Sequence, residues 1–279
     1  MKQHRAKDTL VVNSRAMQDV LDSVLLLAKE NGPVFIDGEA GTGRKLLSRV
    51  IHEEGPHGHV PPVSIRCDML TVDAMDRILF GDMKTGVMGK LEAAGEGTLV
   101  FNDLEELNPV AQERLAGVIT AGRYQTSAGD TRRLVCRLMA TGNRRVIHEQ
   151  RKLGRFSNEL LSFFEQTVLH VPTLAERRED IPHLVTEVLS EMASRERIEV
   201  PSVPYHYMEL LMTVAWPENV RQLRNHVESV MALSNGMFDP EIIREHFQPE
   251  ESAATIKGAL QTLWSKLRST AANPALDHN

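Results

Sequence analysis

Residues Pro33 to His52 read Pro-Val-Phe-Ile-Asp-Gly-Glu-Ala-Gly-Thr-Gly-Arg-Lys-Leu-Leu-Ser-Arg-Val-Ile-His, which is an apolar run, a glycine-rich turn and an amphipathic run in immediate succession. Such a run predicts a strand, a tight loop and a helix. Glycines at 38, 41 and 43 let backbone N–H groups converge, and a helix starting near Gly43 aims the positive end of its dipole into the same cavity. This is the layout of a phosphate-binding loop. In the pattern G-x-x-x-x-G-K-[S/T] a Lys follows the last Gly and reaches the terminal phosphates. Here Arg44 takes that place and Lys45 comes one residue late. Three glycines alone would better suit a turn without a ligand; the flanking strand and helix, and the strands downstream, favour an anion site built from Gly38, Glu39, Ala40, Gly41, Thr42, Gly43, Arg44 and Lys45.

Upstream, Met17, Val20, Leu21, Val24, Leu25 and Ala28 recur at helical spacing, and Asn31-Gly32-Pro33 ends that helix. Downstream, the segment from His52 to His59 reads as a solvated loop. Its three histidines and two glutamates lack a second ligand pair at a metal spacing, so no metal site is expected. Further apolar runs at Val60–Cys67, Gly97–Asn102, Arg133–Ala140 and Thr167–Val171 complete five short strands, with a helix over 71–80. Strands separated by segments long enough for crossovers imply a parallel sheet covered on both faces, with ligands at the strands' carboxyl ends. The loop at 38–45, Asn102-Asp103 and Thr141-Gly142-Asn143 all fall there. From Leu174 the pattern turns helical over Ile181–Arg195, Tyr205–Val214 and Val220–Leu233, and one more helix is expected over Ile256–Leu267.

The 279 residues suffice for one α/β domain and a smaller helical unit. A formal charge of −6 gives no global basic footprint for nucleic acid. Cys67 and Cys136 sit in apolar runs and read as reduced core thiols rather than a disulfide framework. With no signal peptide and no apolar run of spanning length, a cytoplasmic protein without membrane contact is expected.

Gly38-Glu39-Ala40-Gly41-Thr42-Gly43, Leu79-Phe80-Gly81, Leu91-Glu92-Ala93-Ala94, Gly97-Thr98-Leu99, Arg177-Arg178-Glu179-Asp180-Ile181-Pro182 and Trp216-Pro217-Glu218-Asn219-Val220-Arg221-Gln222-Leu223 occur in this order. Together they resemble the central domain of sigma-54-dependent transcriptional activators, over about Asn13 to Phe247. The resemblance implies an α/β AAA+ P-loop NTPase core with a parallel five-stranded sheet over 1–172, followed by a smaller all-helical lid over 173–248. A tail over 249–279 is too short for a complete helix-turn-helix, so direct DNA binding is not expected. It also implies ATP or ADP at the loop, with Asn143 as a sensor and Arg221 reading phosphates.

Several positions depart from the family. Asn102 and Asp103 stand where the family has the Asp that orders Mg²⁺ and the Glu that polarises water. A neutral amide is a poor Mg²⁺ ligand, and Asp103 is a methylene short. Arg44 is a planar fork where the loop takes a point charge. Lys45, turned about 100° along the helix, is expected on another face. Arg66 replaces the family's strand-end Asn. Ser157 and Phe163 replace the two arginine fingers, and Arg155 reads as a surface residue rather than a displaced finger. Asp82 to Lys90 lacks the Phe-Thr tip that touches sigma-54. The expectation is weak nucleotide binding of doubtful Mg²⁺ dependence, impaired hydrolysis, and a regulatory role by homo- or hetero-oligomeric association with a related AAA+ activator or with RNA polymerase carrying sigma-54. Left open are an active ATPase that remodels that polymerase through rearranged residues, and a product that only folds.

Overall fold

In the computed structural model of the chain, residues 6–197 and 199–233 are described; the helix expected over Ile256–Leu267 lies outside them. The first helix, α1 (Arg15–Leu27), is capped by Ser14, whose side chain accepts from the Met17 N–H, and buries Met17, Val20 and Val24. Strand β1 (Val34–Asp37) runs into the glycine loop and α2 (Arg44–Glu53), then β2 (Val63–Arg66) and α3 (Met75–Phe80). A two-residue hairpin, β3 (Gly81–Asp82) and β4 (Val87–Met88), precedes α4 (Lys90–Ala94) and β5 (Thr98–Asn102). Next come α5 (Pro109–Ala121), a second hairpin β6 (Arg123–Gln125) and β7 (Thr131–Arg133), and β8 (Arg137–Gly142). Helices α6 (Arg144–Lys152) and α7 (Asn158–Phe164) lead to β9 (Val168–His170).

Five strands form one parallel sheet in the order β2-β5-β8-β1-β9. The period-two alternation of a strand sends neighbouring side chains to opposite faces. Phe35, Leu99, Phe101, Leu138 and Ala140 therefore pack in one core with Leu79, Leu160 and Phe164. Val34, Ile36, Val100 and Met139 pack in the other with Met17, Val24, Leu47 and Ile51. Two covered faces explain why the strands read as unbroken apolar runs.

Three expectations are corrected. His52 is the penultimate residue of α2 and buried, its ring bridging the Thr98 hydroxyl and the Val60 carbonyl, because its position on the inward face of the helix puts it over the foot of β5. The strand expected from Arg133 starts at Arg137, since 131–133 pair back on β6. The strand expected from Val60 starts at Val63, after Pro61-Pro62, which have no N–H for a ladder.

By compactness the chain divides into one unit running to Asp180 together with Glu218–Val220, and a second comprising Ile181–Pro217 and residues from Arg221 on. The second contains α8 (Ile181–Glu196), α9 (Tyr205–Thr213) and most of α10 (Asn219–Leu233). Among the described residues, no helix is long and apolar enough to cross a membrane.

Candidate nucleotide site

The site forms where β1, β5 and β8 end side by side, with Asp37 in register with Gly142 and Asn102 with Arg66. The loop leaving β1 takes backbone angles that side chains rarely adopt, with φ of 79° at Gly41 and 106° at Gly43. Thr42 closes the turn by donating its hydroxyl to the Glu39 carbonyl at 2.8 Å. Gly43 caps α2 without a side chain, so the first-turn N–H groups stay available to an anion.

Arg44 turns back into this cradle. The residue is 6% exposed, and its guanidinium donates from Nη1 to the Gly38 carbonyl at 2.9 Å and from Nη2 to Asp103 Oδ1 at 2.8 Å, and approaches Glu105 Oε1 at 3.7 Å. Lys45 Nζ lies 2.9 Å from Asp103 Oδ2. The sequence expectation that Lys45 points elsewhere is thereby corrected. The helix does rotate its Cα away, but a four-carbon stem reaches the same carboxylate from the outside. Each oxygen of Asp103 thus carries its own cation. Asp103 itself has a left-handed φ of 59°, and its N–H donates to the Thr141 hydroxyl at 3.2 Å. Asn102 is buried, and its Oδ1 has no partner.

Glu105 was not singled out by sequence reasoning, since it falls outside the loop and strand-end motifs. It is wedged behind Arg44, with Oε2 buried and unpartnered and Gly142 so close that a Cβ there would stand 2.6 Å from that oxygen. Burial pushes its carboxyl above the ordinary 4.5, against the pull of Arg44.

Arg177 and Asn219 were legible only as motif members, and both support the loop. Arg177 donates to the Thr42 carbonyl at 2.6 Å, and 3.9 Å from it the fully buried Asp180 accepts from the N–H groups of Asn13 and Ser14 and from the Ser14 hydroxyl. Asn219 Nδ2 donates to the Ala40 carbonyl at 3.0 Å and to Glu39 at 3.3 Å, while its Oδ1 accepts from the Leu174 N–H. These side chains hold the loop by its carbonyls; of its N–H groups, that of Gly38 donates to the Gly142 carbonyl and that of Thr42 to the Glu39 carbonyl.

The remaining candidates have local duties. Asn143 caps α6, its Oδ1 accepting from the Val146 N–H. Arg221 is exposed and belongs to the second unit. Arg66 is held by Asp68, its Nε 3.1 Å from Oδ1. Ser157 caps α7, Phe163 is half-buried edge-on against Phe164, and Arg155 is exposed. The short hairpin β3–β4 leaves Met83, Val87 and Met88 exposed. Among the described residues no group of three or more His, Cys, Asp or Glu is placed to hold a metal ion.

Comparison with known proteins agrees with this architecture. Residues 10–170 match the family described as the Sigma-54 interaction domain, and residues 175–259 that described as the AAA+ ATPase lid domain. The transcriptional regulatory protein ZraR of Klebsiella oxytoca is 32% identical over 240 residues, covering 83% of this chain and 54% of the relative. The Nif-specific regulatory protein of Azotobacter vinelandii is 32% identical over 236 residues, covering 82% and 45%. The chain therefore spans about half the length of the curated relatives it matches. NtrX from Brucella abortus, solved in complex with ADP, superposes with a TM-score of 0.77 at 28% identity, covering 83% of this chain and 53% of that one; the ATP complex gives the same score and identity.

Proposed function

Because this chain belongs to the sigma-54 interaction domain family of AAA+ transcriptional regulators, we propose that it binds an adenine nucleotide without turning it over at a useful rate and regulates transcription by protein association. The observation that carries this reading is the double neutralisation of Asp103 by Arg44 and Lys45. A carboxylate that must polarise water has to face it, and both oxygens of Asp103 face cations instead.

Nucleotide fits the loop. The left-handed glycines and the uncapped start of α2 form an anion cradle, and the ADP and ATP complexes of NtrX support the same ligand class here. Mg²⁺ does not fit. Lys45 occupies the position whose hydroxyl holds the metal in the usual loop, Asn102 offers only a neutral amide, and the Asp103 oxygens already face cations. Nucleotide binding is accordingly proposed to be weak and insensitive to Mg²⁺, carried by the loop N–H groups and the exposed Lys45 ammonium, with Arg44 largely committed to its own carboxylates.

Hydrolysis is further opposed by Ser157 and Phe163, since an arginine finger is worth about 10³–10⁵ in rate. The proposed partners are a related AAA+ activator subunit or the polymerase carrying sigma-54. Steady-state phosphate release from the full chain at saturating ATP should fall far below about 1 s⁻¹, the low end of ordinary enzymatic turnover. Release at or above that rate, lost on Asp103→Asn, would establish an active ATPase instead.

A further inference from the structure

We propose that the phosphate loop accepts a nucleoside diphosphate in preference to the triphosphate, and that Glu105 sets this preference. The inference rests on the nucleotide-binding reading above. In the usual loop the residue after the last glycine brings a free positive charge to the terminal phosphates. Here that charge is committed, because Arg44 spans the Gly38 carbonyl, Asp103 and Glu105 and is almost wholly buried. A third phosphate arriving at the guanidinium must either share it with two carboxylates or detach it from them.

Glu105 makes both alternatives unfavourable. Its Oε2 is buried without a partner, so its charge is poorly screened, and it lies so near Gly142 that a Cβ there would stand 2.6 Å away. If Arg44 turned to a phosphate, Glu105 would be left as a buried carboxylate without its counter-charge. Asp103 has another recourse, since Lys45 holds its second oxygen and the Lys45 side chain is 54% exposed. A diphosphate makes less of this demand, because it brings only its β-phosphate within reach of the guanidinium and no γ-phosphate that must be neutralised there. It is served by the loop N–H groups, whose positions depend on the Arg177 and Asn219 contacts and not on the charge cluster. No transfer step is involved, and the preference is one of binding alone.

Calorimetric titration of the full chain with ADP and with ATP, each in EDTA and again with Mg²⁺, tests this. The expected result is ADP tighter than ATP by about tenfold or more without metal, as befits one unscreened charge at close range. Glu105→Gln should narrow the gap severalfold by tightening ATP while leaving ADP within about twofold, and Glu105→Asp, which keeps the charge, should retain most of the preference. Melting curves confirm that each variant is folded. Equal affinities in the unaltered protein overturn the preference, and an unchanged gap in Glu105→Gln overturns the role of Glu105. Binding of neither nucleotide at millimolar concentration overturns the nucleotide-binding reading itself.

Discussion

Arg44 and Glu105 form an unequal pair, in which the carboxylate depends on the guanidinium more than the guanidinium on it, since Asp103 also neutralises Arg44. A guanidinium inside the loop needs carboxylates to neutralise it, and a carboxylate wedged against Gly142 needs the guanidinium. Arg44→Met should therefore destabilise the folded chain more than it relieves crowding. Breaking a buried pair from one side costs about 3–5 kcal/mol, reduced here to about 2 because Lys45 still serves Asp103, whose side chain is one-third exposed. A fall in Tm of about 4–8 °C is expected by calorimetry. Glu105 adds a pH dependence. Its carboxyl is raised by burial, so the folded state holds the proton more tightly than the unfolded state. Its contribution to stability is complete below about pH 4.5 and is lost as pH rises through the folded value. Glu105→Gln should flatten that limb and raise stability at pH 7, measured by denaturant titration at several pH values. Parallel limbs for variant and parent would contradict this.

At the scale of elements, α5 and α7 are set by their caps and by one buried amide. Ser157 starts α7, and Gln112 of α5 joins the two helices, donating to the Leu107 and Arg155 carbonyls and accepting from the Ser157 N–H. A side chain 2% exposed that serves three backbone groups cannot be truncated without orphaning them. Gln112→Leu should lower stability by about 1–3 kcal/mol. Hydrogen exchange should accelerate selectively over 157–164; uniform acceleration through the sheet would mean that Gln112 supports the whole fold instead. Neither helix was anticipated as an element, because 158–164 is short and the inward face over 109–121 includes the polar Gln112.

For the whole molecule, the sharpest consequence concerns assembly. If the chain enters a ring with a competent relative, Ser157 and Phe163 offer no positive charge to the neighbouring site, which then lacks a contribution of about 10³–10⁵ in rate. Titrating the protein into an active family member should lower turnover per active subunit. Phe163→Arg should restore part of it; the side chain is half-buried at the edge of Phe164, so the substitution displaces little core. Unchanged turnover in mixed rings verified by crosslinking would refute the idea.

The sequence by itself determined the parallel sheet, its two covered faces and the phosphate loop, because these follow from local periodicity and from glycines at fixed spacing. It also marked Arg44, Asn102, Asp103, Ser157 and Phe163 as departures. Only the tertiary structure decided what the departures do together. Lys45 and Arg44 leave α2 in different directions and meet again on Asp103, 58 and 59 positions on. Glu105 becomes part of the site through its nearness to Gly142 and Arg44, neither of which is its neighbour in sequence. His52 likewise exchanges an apparent loop position for a buried bridge between Thr98 and Val60. Helical and strand periods report where a Cα points. Charge pairing depends on where the ends of long side chains arrive, and that is fixed only when strands distant in sequence end side by side.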